Sequence, residues 1–553
     1  MVQTRAQRRA AQPSPPQGAR SLKRARATPP ASSVASPAAG GSAAKRRRQT
    51  ATPSPQYANT SAGMVQRLEE LDRAYCRAKT RQSDSYTAVL QLAGAFVKDH
   101  GADCMPRMTQ MDAEASWAQL SMGVREVDEA AERLCKTVLS MVNLRAHAQA
   151  ETRQEGRLAS LAFDVLAILA CGQPGTAAVM WLLDNAAELA RAAARDDGCE
   201  TVQFSAVVCI HNLIYFEQGA ERLAKDMEAV KAATHTIVQA MAKHTPSERV
   251  QNCGLLFCRN LSSHHEGEAA LLTLGLEPVL LAVVAALEAH PTSERVQCHG
   301  ISCLKYLTET ETCAEVVVSS ACGARVVQAS LTAMQKHTDS VSVLERAVAF
   351  LKNITWGASQ GCATVLNAGG VPHLLSAMSS HRASEAVQEG GVSALRNLWM
   401  STAGEVALLQ HNGVETVLTA LKEHLKSVVV CVHVMSFFKH AADSDNGAAR
   451  MLEIDVLTHL LAAVTAHPDA VEIQQRGLLC LFNLAFDVPG VGAVAAHAAA
   501  VVDWALPLVT GPKKELQSPA AKLLGRLAAS SAGRFEILRH AGTVAMLERA
   551  SML

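Results

Sequence analysis

Apolar and small residues return in one phrase every 43 to 48 residues along most of this chain. The phrase reads Val250-Gln251-Asn252-Cys253-Gly254-Leu255-Leu256-Phe257-Cys258-Arg259-Asn260-Leu261. It returns from Val296 to Leu307, from Val387 to Leu398 and from Gln474 to Leu484. Within it, Gly391, Ala394, Leu395 and Leu398 fall at i, i+3, i+4 and i+7, which is one stripe of a 3.6-residue helix. The small residue at its centre marks nine units, at Ala162, Ala206, Gly254, Gly300, Ala347, Gly391, Val434, Gly477 and Ala520. Self-similarity at this period predicts a solenoid, in which each unit buries its apolar face against its neighbours. A solenoid offers a long concave wall, so binding is expected before catalysis.

Between these helices the pattern breaks twice per unit. One break places a glycine before a new apolar run, at Gly275, Gly323, Gly370, Gly413 and Gly542, with Asp455 in its place once. A residue of positive φ after a helix end is expected there. The other break is polar and often opens on histidine, as in His244-Thr245-Pro246-Ser247-Glu248, His290-Pro291-Thr292-Ser293-Glu294 and His467-Pro468-Asp469. Its Ser or Asp reads as the cap of the next helix.

The glycine-started helix, the polar break and the Val-Gln…Gly/Ala…Leu-X-Asn-Leu helix together resemble the armadillo repeat, over roughly residues 155 to 553. HEAT repeats are the near alternative; the regular glycine turn and the recurring Asn-Leu favour armadillo. The resemblance implies an all-α, right-handed α-α superhelix of about nine three-helix repeats. Their third helices would line a groove for extended segments of partner proteins.

Composition agrees with this reading. At 553 residues the chain exceeds one ordinary core. Its hydrophobic residues are 49% and its aromatics 4%, an aliphatic helical mixture without sustained strand alternation. No apolar run reaches transmembrane length: Val501 to Val509 contains Asp503, and Leu276 to Leu287 is short. The N-terminus has no continuous apolar stretch, so no secretory signal is expected. The 15 cysteines are scattered. Cys209, Cys303 and Cys480 share one helix slot suited to a buried small side chain, and free thiols in a reducing compartment are expected.

Charge divides the chain. Residues 1–68 hold twelve Lys or Arg and no acid, while the whole carries +1, so the remainder stands near −11. Residues 1–62 are expected to form a disordered basic tail, residues 63–155 an N-terminal helical cap, and residues 156–553 the repeat array. Helices are predicted over 65–74, 86–97 and 124–142. Two tail clusters, Lys23, Arg24 and Arg26, then Lys45, Arg46, Arg47 and Arg48, have the form read by nuclear import receptors. Weak nucleic-acid contact through the same cations is the alternative. Thr28, Ser36, Thr52 and Ser54 each precede proline near the clusters, where phosphorylation would oppose either contact. A nuclear or cytoplasmic location, or both, is the expectation.

Candidate binding residues follow from aligning the third helices. Asn212, Asn260, Asn353, Asn397 and Asn483 share one slot, which Tyr306, His440 and Arg526 fill in other units. By the armadillo resemblance this Asn faces the groove and pairs with a bound main chain; a carboxamide offers one acceptor and two donors. The alternative is an Asn that ties adjacent helices together. The slot before it holds Arg259, Lys305, Lys352, Arg396 and Lys439 in five consecutive units. That basic stripe would suit an acidic or phosphorylated segment, unless local carboxylates neutralise it. Importin-α, within the same family, has Trp one turn before the Asn; here that slot holds Val208, Leu256, Ala349, Ser393 and Leu479. The resemblance therefore does not extend to a receptor for basic import signals.

No phosphate-cradling loop, nucleophile elbow or kinase motif is present. His264-His265-Glu266-Gly267-Glu268 reads as a solvated loop and not as a metal site. The sequence thus predicts a non-enzymatic scaffold without cofactor or metal. Other readings are a nucleic-acid-associated factor using its tail, and a cytoskeletal or vesicle adaptor.

Overall fold

The computed structural model describes residues 69–74, 93, 95, 125–145, 153–171, 176–195, 198–357 and 359–539. All regular structure among them is helical. The basic tail with Lys23, Arg24, Arg26, Lys45, Arg46, Arg47 and Arg48 lies outside the described residues, as does Gly542. Of the helix expected over 65–74, residues 69–74 are described and helical; of that expected over 86–97, only residues 93 and 95 are described.

Among the described residues eight of the nine units contribute three helices and the first its second and third, and the third helices stack one on the next. They are labelled α1 (Arg153–Ala170), α2 (Glu200–Leu213), α3 (Glu248–Ser262), α4 (Glu294–Tyr306), α5 (Val341–Thr355), α6 (Glu385–Trp399), α7 (Val428–Ala441), α8 (Val471–Leu484) and α9 (Lys514–Leu527). The second helices form a parallel layer behind them, for example Met227–Lys243, then Glu277–Ala289, then Gly323–Lys336. The helix Arg125–Arg145 packs on α1 and on Ala177–Asp184 and Ala186–Arg195, which is the place of a second helix before α1.

The sequence phrase explains this stacking residue by residue. A serine caps each of α3 to α7: Ser247, Ser293, Ser340, Ser384 and Ser427 accept from the N–H three residues on. Each hydroxyl then donates to a carboxylate on the preceding third helix, as in Ser293 Oγ to Glu248 Oε1 at 2.6 Å and Ser340 Oγ to Glu294 Oε1 at 2.6 Å. The glutamine of the phrase reaches back ten residues to close the second helix. Gln251 Nε2 donates to Met241 O at 2.8 Å and His244 O at 3.0 Å, and Gln297, Gln388 and Gln474 repeat the contact. Carbonyls without an intrahelical acceptor role filled are thereby satisfied.

The histidines at the polar break have their own task. His290, His337, His381, His424 and His467 each aim Nε2 at a loop carbonyl of the preceding unit, at 2.7, 3.0, 2.5, 2.5 and 2.7 Å. Five consecutive boundaries are pinned this way. The central small residue lets the second helix close in: a Cβ on Gly254 would stand 2.5 Å from Met241 Sδ.

The glycine turns follow the expectation only in part. Positive φ occurs at Gly275 and Asp455 as expected, but in two units it falls one residue earlier, on Gly369 and Asn412, and at Gly323 the turn is made without it. Gly370 and Gly413 begin the next helix instead. A Cβ there would meet Val365 or Leu408, so close approach and not φ excludes a side chain.

Candidate functional site

On α5 the inner core takes Val343, Leu344, Ala347, Val348, Phe350, Leu351 and Ile354. That leaves Glu345, Arg346, Ala349, Lys352 and Asn353 half-exposed along one stripe. Equivalent positions are half-exposed on its neighbours: His299, Lys305 and Tyr306 on α4, His433, Lys439 and His440 on α7, Gln475, Arg476 and Phe482 on α8. These stripes lie side by side and form the inner wall of the array.

The asparagine slot is built into this wall. Asn212 Nδ2 donates to Ala167 O at 3.0 Å, Asn353 Nδ2 to Lys305 O at 3.1 Å and Asn483 Nδ2 to Lys439 O at 3.1 Å. Each acceptor belongs to the preceding third helix, one residue before the corresponding slot. Asn397 Nδ2 donates to Thr355 Oγ1 at 3.2 Å. Asn260 and Asn397 offer Oδ1 to the guanidinium of their own neighbours, Arg259 and Arg396. The amide nitrogens of Asn212, Asn353, Asn397 and Asn483 therefore tie adjacent helices, and through those ties they fix the spacing of the basic turns.

The five slot cations are all half-buried on the wall. Arg396 lies over the exposed Trp356 ring, 5.0 Å from its centroid. Lys305 pairs with Glu309 at 3.5 Å and Lys352 with Glu389 at 3.1 Å. Glu389 also contacts His433 Nε2 at 3.1 Å. Burial alone would raise the Glu389 carboxyl, but the bond from His433 and the charge and bond of Lys352 pull it down to about 2.

A second basic slot escaped the sequence alignment. Six residues before the first, it carries His299, Arg346, His433 and Arg476. One helix brings it near the first slot of the helix before: Arg259 Nη1 stands 3.5 Å from His299 Nδ1. The signal was present as a register of cations, but a gap at Gly390 interrupts it. Burial, followed by Arg259, Arg346 and Arg295, pushes His299 down to about 4. Burial, then Arg259 and His299, pushes His211 down to about 3. Both imidazoles are neutral at physiological pH, in a region dominated by guanidinium charge.

The slot that lacks Trp is buried at Val208, Leu256 and Ser393 and half-exposed at Ala349 and Leu479. His264-His265-Glu266-Gly267-Glu268 is not the loop expected: His265–Leu274 is a helix, and buried Glu268 accepts from Thr310 Oγ1 at 2.7 Å.

A family model described as LRRK2 ARM repeat matches residues 191–503, more than half of the chain. A search of curated proteins finds no match. Among solved structures, a chain from a study of a conserved phosphorylation switch controlling the interaction between cadherin and beta-catenin superposes with a TM-score of 0.49 at 15% identity. It covers 82% of this chain and 98% of that one. UNC-45 from Drosophila melanogaster superposes with a TM-score of 0.42 at 12% identity, over 89% of this chain and 72% of that one. Armadillo solenoids are typically non-enzymatic scaffolds for protein–protein interaction. With the match spanning α2 to α8 and the third helices stacked unit on unit, the chain belongs to the LRRK2 ARM repeat family of armadillo solenoids.

Proposed function

We propose that the inner wall binds an extended acidic segment of a partner protein, and that the chain works as a scaffold through that contact. One observation carries the reading: from α3 to α8 the half-exposed wall presents Arg259, Lys305, Arg346, Lys352, Arg396, Lys439 and Arg476 against Glu345 and Glu389. A cationic wall on an otherwise acidic chain attracts anionic partners over a Debye length and disfavours basic ones. The Asn slot supports the main chain of the segment, with the carboxamide oxygens of Asn212 and Asn353 accepting its N–H groups while the nitrogens hold the helices. The same polarity argues against a basic import signal as ligand. Engagement of an import receptor by the tail clusters, and with it a nuclear or shuttling location, belongs to the same proposal and rests on sequence alone.

The test is fluorescence anisotropy of a labelled 20-residue Asp/Glu-rich peptide with the full chain and with Lys305→Glu/Lys352→Glu/Arg396→Glu. The expected result is a loss of affinity of at least tenfold in a variant that keeps its helical circular-dichroism spectrum but melts lower, since Lys352→Glu sets a second carboxylate against Glu389. Unchanged affinity would move the binding surface to the tail or the outer face.

A further inference from the structure

The cations of the wall are not equivalent. Lys305, Lys352 and Arg476 each have a carboxylate within 3.5 Å, on Glu309, Glu389 and Glu472. Arg259 and Arg346 have none among the described residues: Arg259 bonds to Asn260 Oδ1 and approaches His299, and Arg346 bonds to Ser342 O. Arg346 occupies the slot of His299 on the next third helix, and the charges of Arg259 and Arg346 both weigh on His299, while Arg346 disfavours the charge on Arg259. Two half-buried like charges without a counter-ion raise the energy of the unoccupied wall, and such unresolved tension marks ligand sites more than structural ones.

From this geometry we infer that Arg259, His299 and Arg346, on three successive third helices, form a subsite for the phosphate of a phosphoserine or phosphothreonine in the bound segment. The inference rests on the scaffold reading above and deepens it. A phosphate monoester carries about −1.5 to −2 charge and three acceptor oxygens. Arg guanidinium groups meet carboxylate and phosphate alike with paired N–H donors, but the phosphate brings a third oxygen and more charge than a carboxylate, so one group can serve two guanidinium partners at once. His299 supplies a further ring N–H. A nucleic-acid backbone fits less well, because it needs a continuous row of unneutralised cations, and the next positions along the wall, Lys305 and Lys352, are already paired.

The experiment uses the full chain and three labelled probes: an acidic 15-residue peptide with one central phosphoserine, the same peptide unphosphorylated, and a 15-nucleotide single-stranded RNA. Inorganic phosphate serves as competitor. Wild type is expected to prefer the phosphopeptide at least tenfold over its unphosphorylated form. Arg259→Gln/Arg346→Gln should reduce that preference to threefold or less, the phosphopeptide losing much more affinity than the unphosphorylated peptide, which draws on all the cations of the wall. Because Arg259 is half-buried, Arg259→Lys provides a charge-conserving variant, expected to melt like wild type and to lose part of the preference. Equal binding of both peptides by wild type, or a preference that survives both substitutions, overturns the subsite and leaves the acidic-segment reading standing. RNA binding stronger than phosphopeptide binding, or full competition by millimolar inorganic phosphate, overturns the assignment to a phosphorylated segment. Failure of both peptides to bind overturns the scaffold reading itself.

Discussion

Glu389→Gln separates stability from binding in this wall. In the folded chain Glu389 accepts from Lys352 and His433, and its carboxyl stands at about 2 where 4.5 is ordinary. A carboxyl lowered that far favours the folded, ionised form by about 3 kcal/mol at neutral pH. Gln keeps one acceptor oxygen, and Lys352 is partly hydrated, so the expected cost is about 2 kcal/mol, or a fall in Tm of about 2 °C for an array of this length. The stabilisation is present above about pH 4.5 and is lost as pH falls toward about 2, so the gap between the two proteins should narrow over that range. Binding should move the other way. Removing the carboxylate leaves Lys352 and His433 for the ligand, and the acidic 20-residue peptide should bind about three- to tenfold more tightly, equivalent to about 1 kcal/mol. Thermal melting and anisotropy on the same preparations decide the matter. A variant that melts lower and binds the peptide no better, or worse, would show that Lys352 does not face the ligand.

Two further substitutions probe the frame. Asp164 on α1 is pushed up to about 6 by burial, against a bond from Ser205 and the charge of Arg249, and its Oδ1 has no hydrogen-bond partner among the described residues. Its folded value lies above the unfolded 3.8, so the ionised form destabilises the fold at pH 7; Asp164→Asn should raise stability by about 1 to 2 kcal/mol, and the gain should shrink as pH falls from about 6 to about 4. A loss of stability at pH 7 would refute this. Ser340→Ala removes both the cap of α5 and the donor to Glu294, and denaturant unfolding should show a cost of about 1 to 2 kcal/mol. No change would mean that water replaces both bonds at no cost.

The fold was legible because a solenoid writes the same contacts many times. Gln251, Gln297, Gln388 and Gln474 stand in the repeated phrase because each closes a second helix, and the buried Cys209, Cys303 and Cys480 fill the slot their spacing indicated. One equally regular signal went unread: a glycine about 13 residues after the central small residue, at Gly219, Gly267, Gly361, Gly404, Gly447, Gly490 and Gly533. A Cβ on Gly404 would overlap the Leu398 carbonyl oxygen, so the sharp turn from third to first helix demands it.

The site was less legible, because its contacts run between helices some 45 residues apart. The alignment placed Arg259, Lys305, Lys352, Arg396 and Lys439 in one register but could not show that Lys352 meets Glu389 on the next third helix. It could not show that the asparagine amides reach back to carbonyls such as Lys305 O either. Nor could it pair Arg259 with His299, since that contact joins different slots of neighbouring helices. Sequence periodicity reports which residues share a face; the stagger between faces decides which of them touch.

The central claim is that the inner wall holds the acidic segment. A photo-crosslinking amino acid at Ala349, half-exposed on the inner face of α5, can be compared with one at Gln328, exposed on the second helix Gly323–Lys336. The account predicts that the labelled acidic 20-residue peptide crosslinks at position 349 and not at 328, and that the Lys305→Glu/Lys352→Glu/Arg396→Glu background abolishes the product. Crosslinking at 328, or a product at 349 that survives the charge reversal, would contradict it.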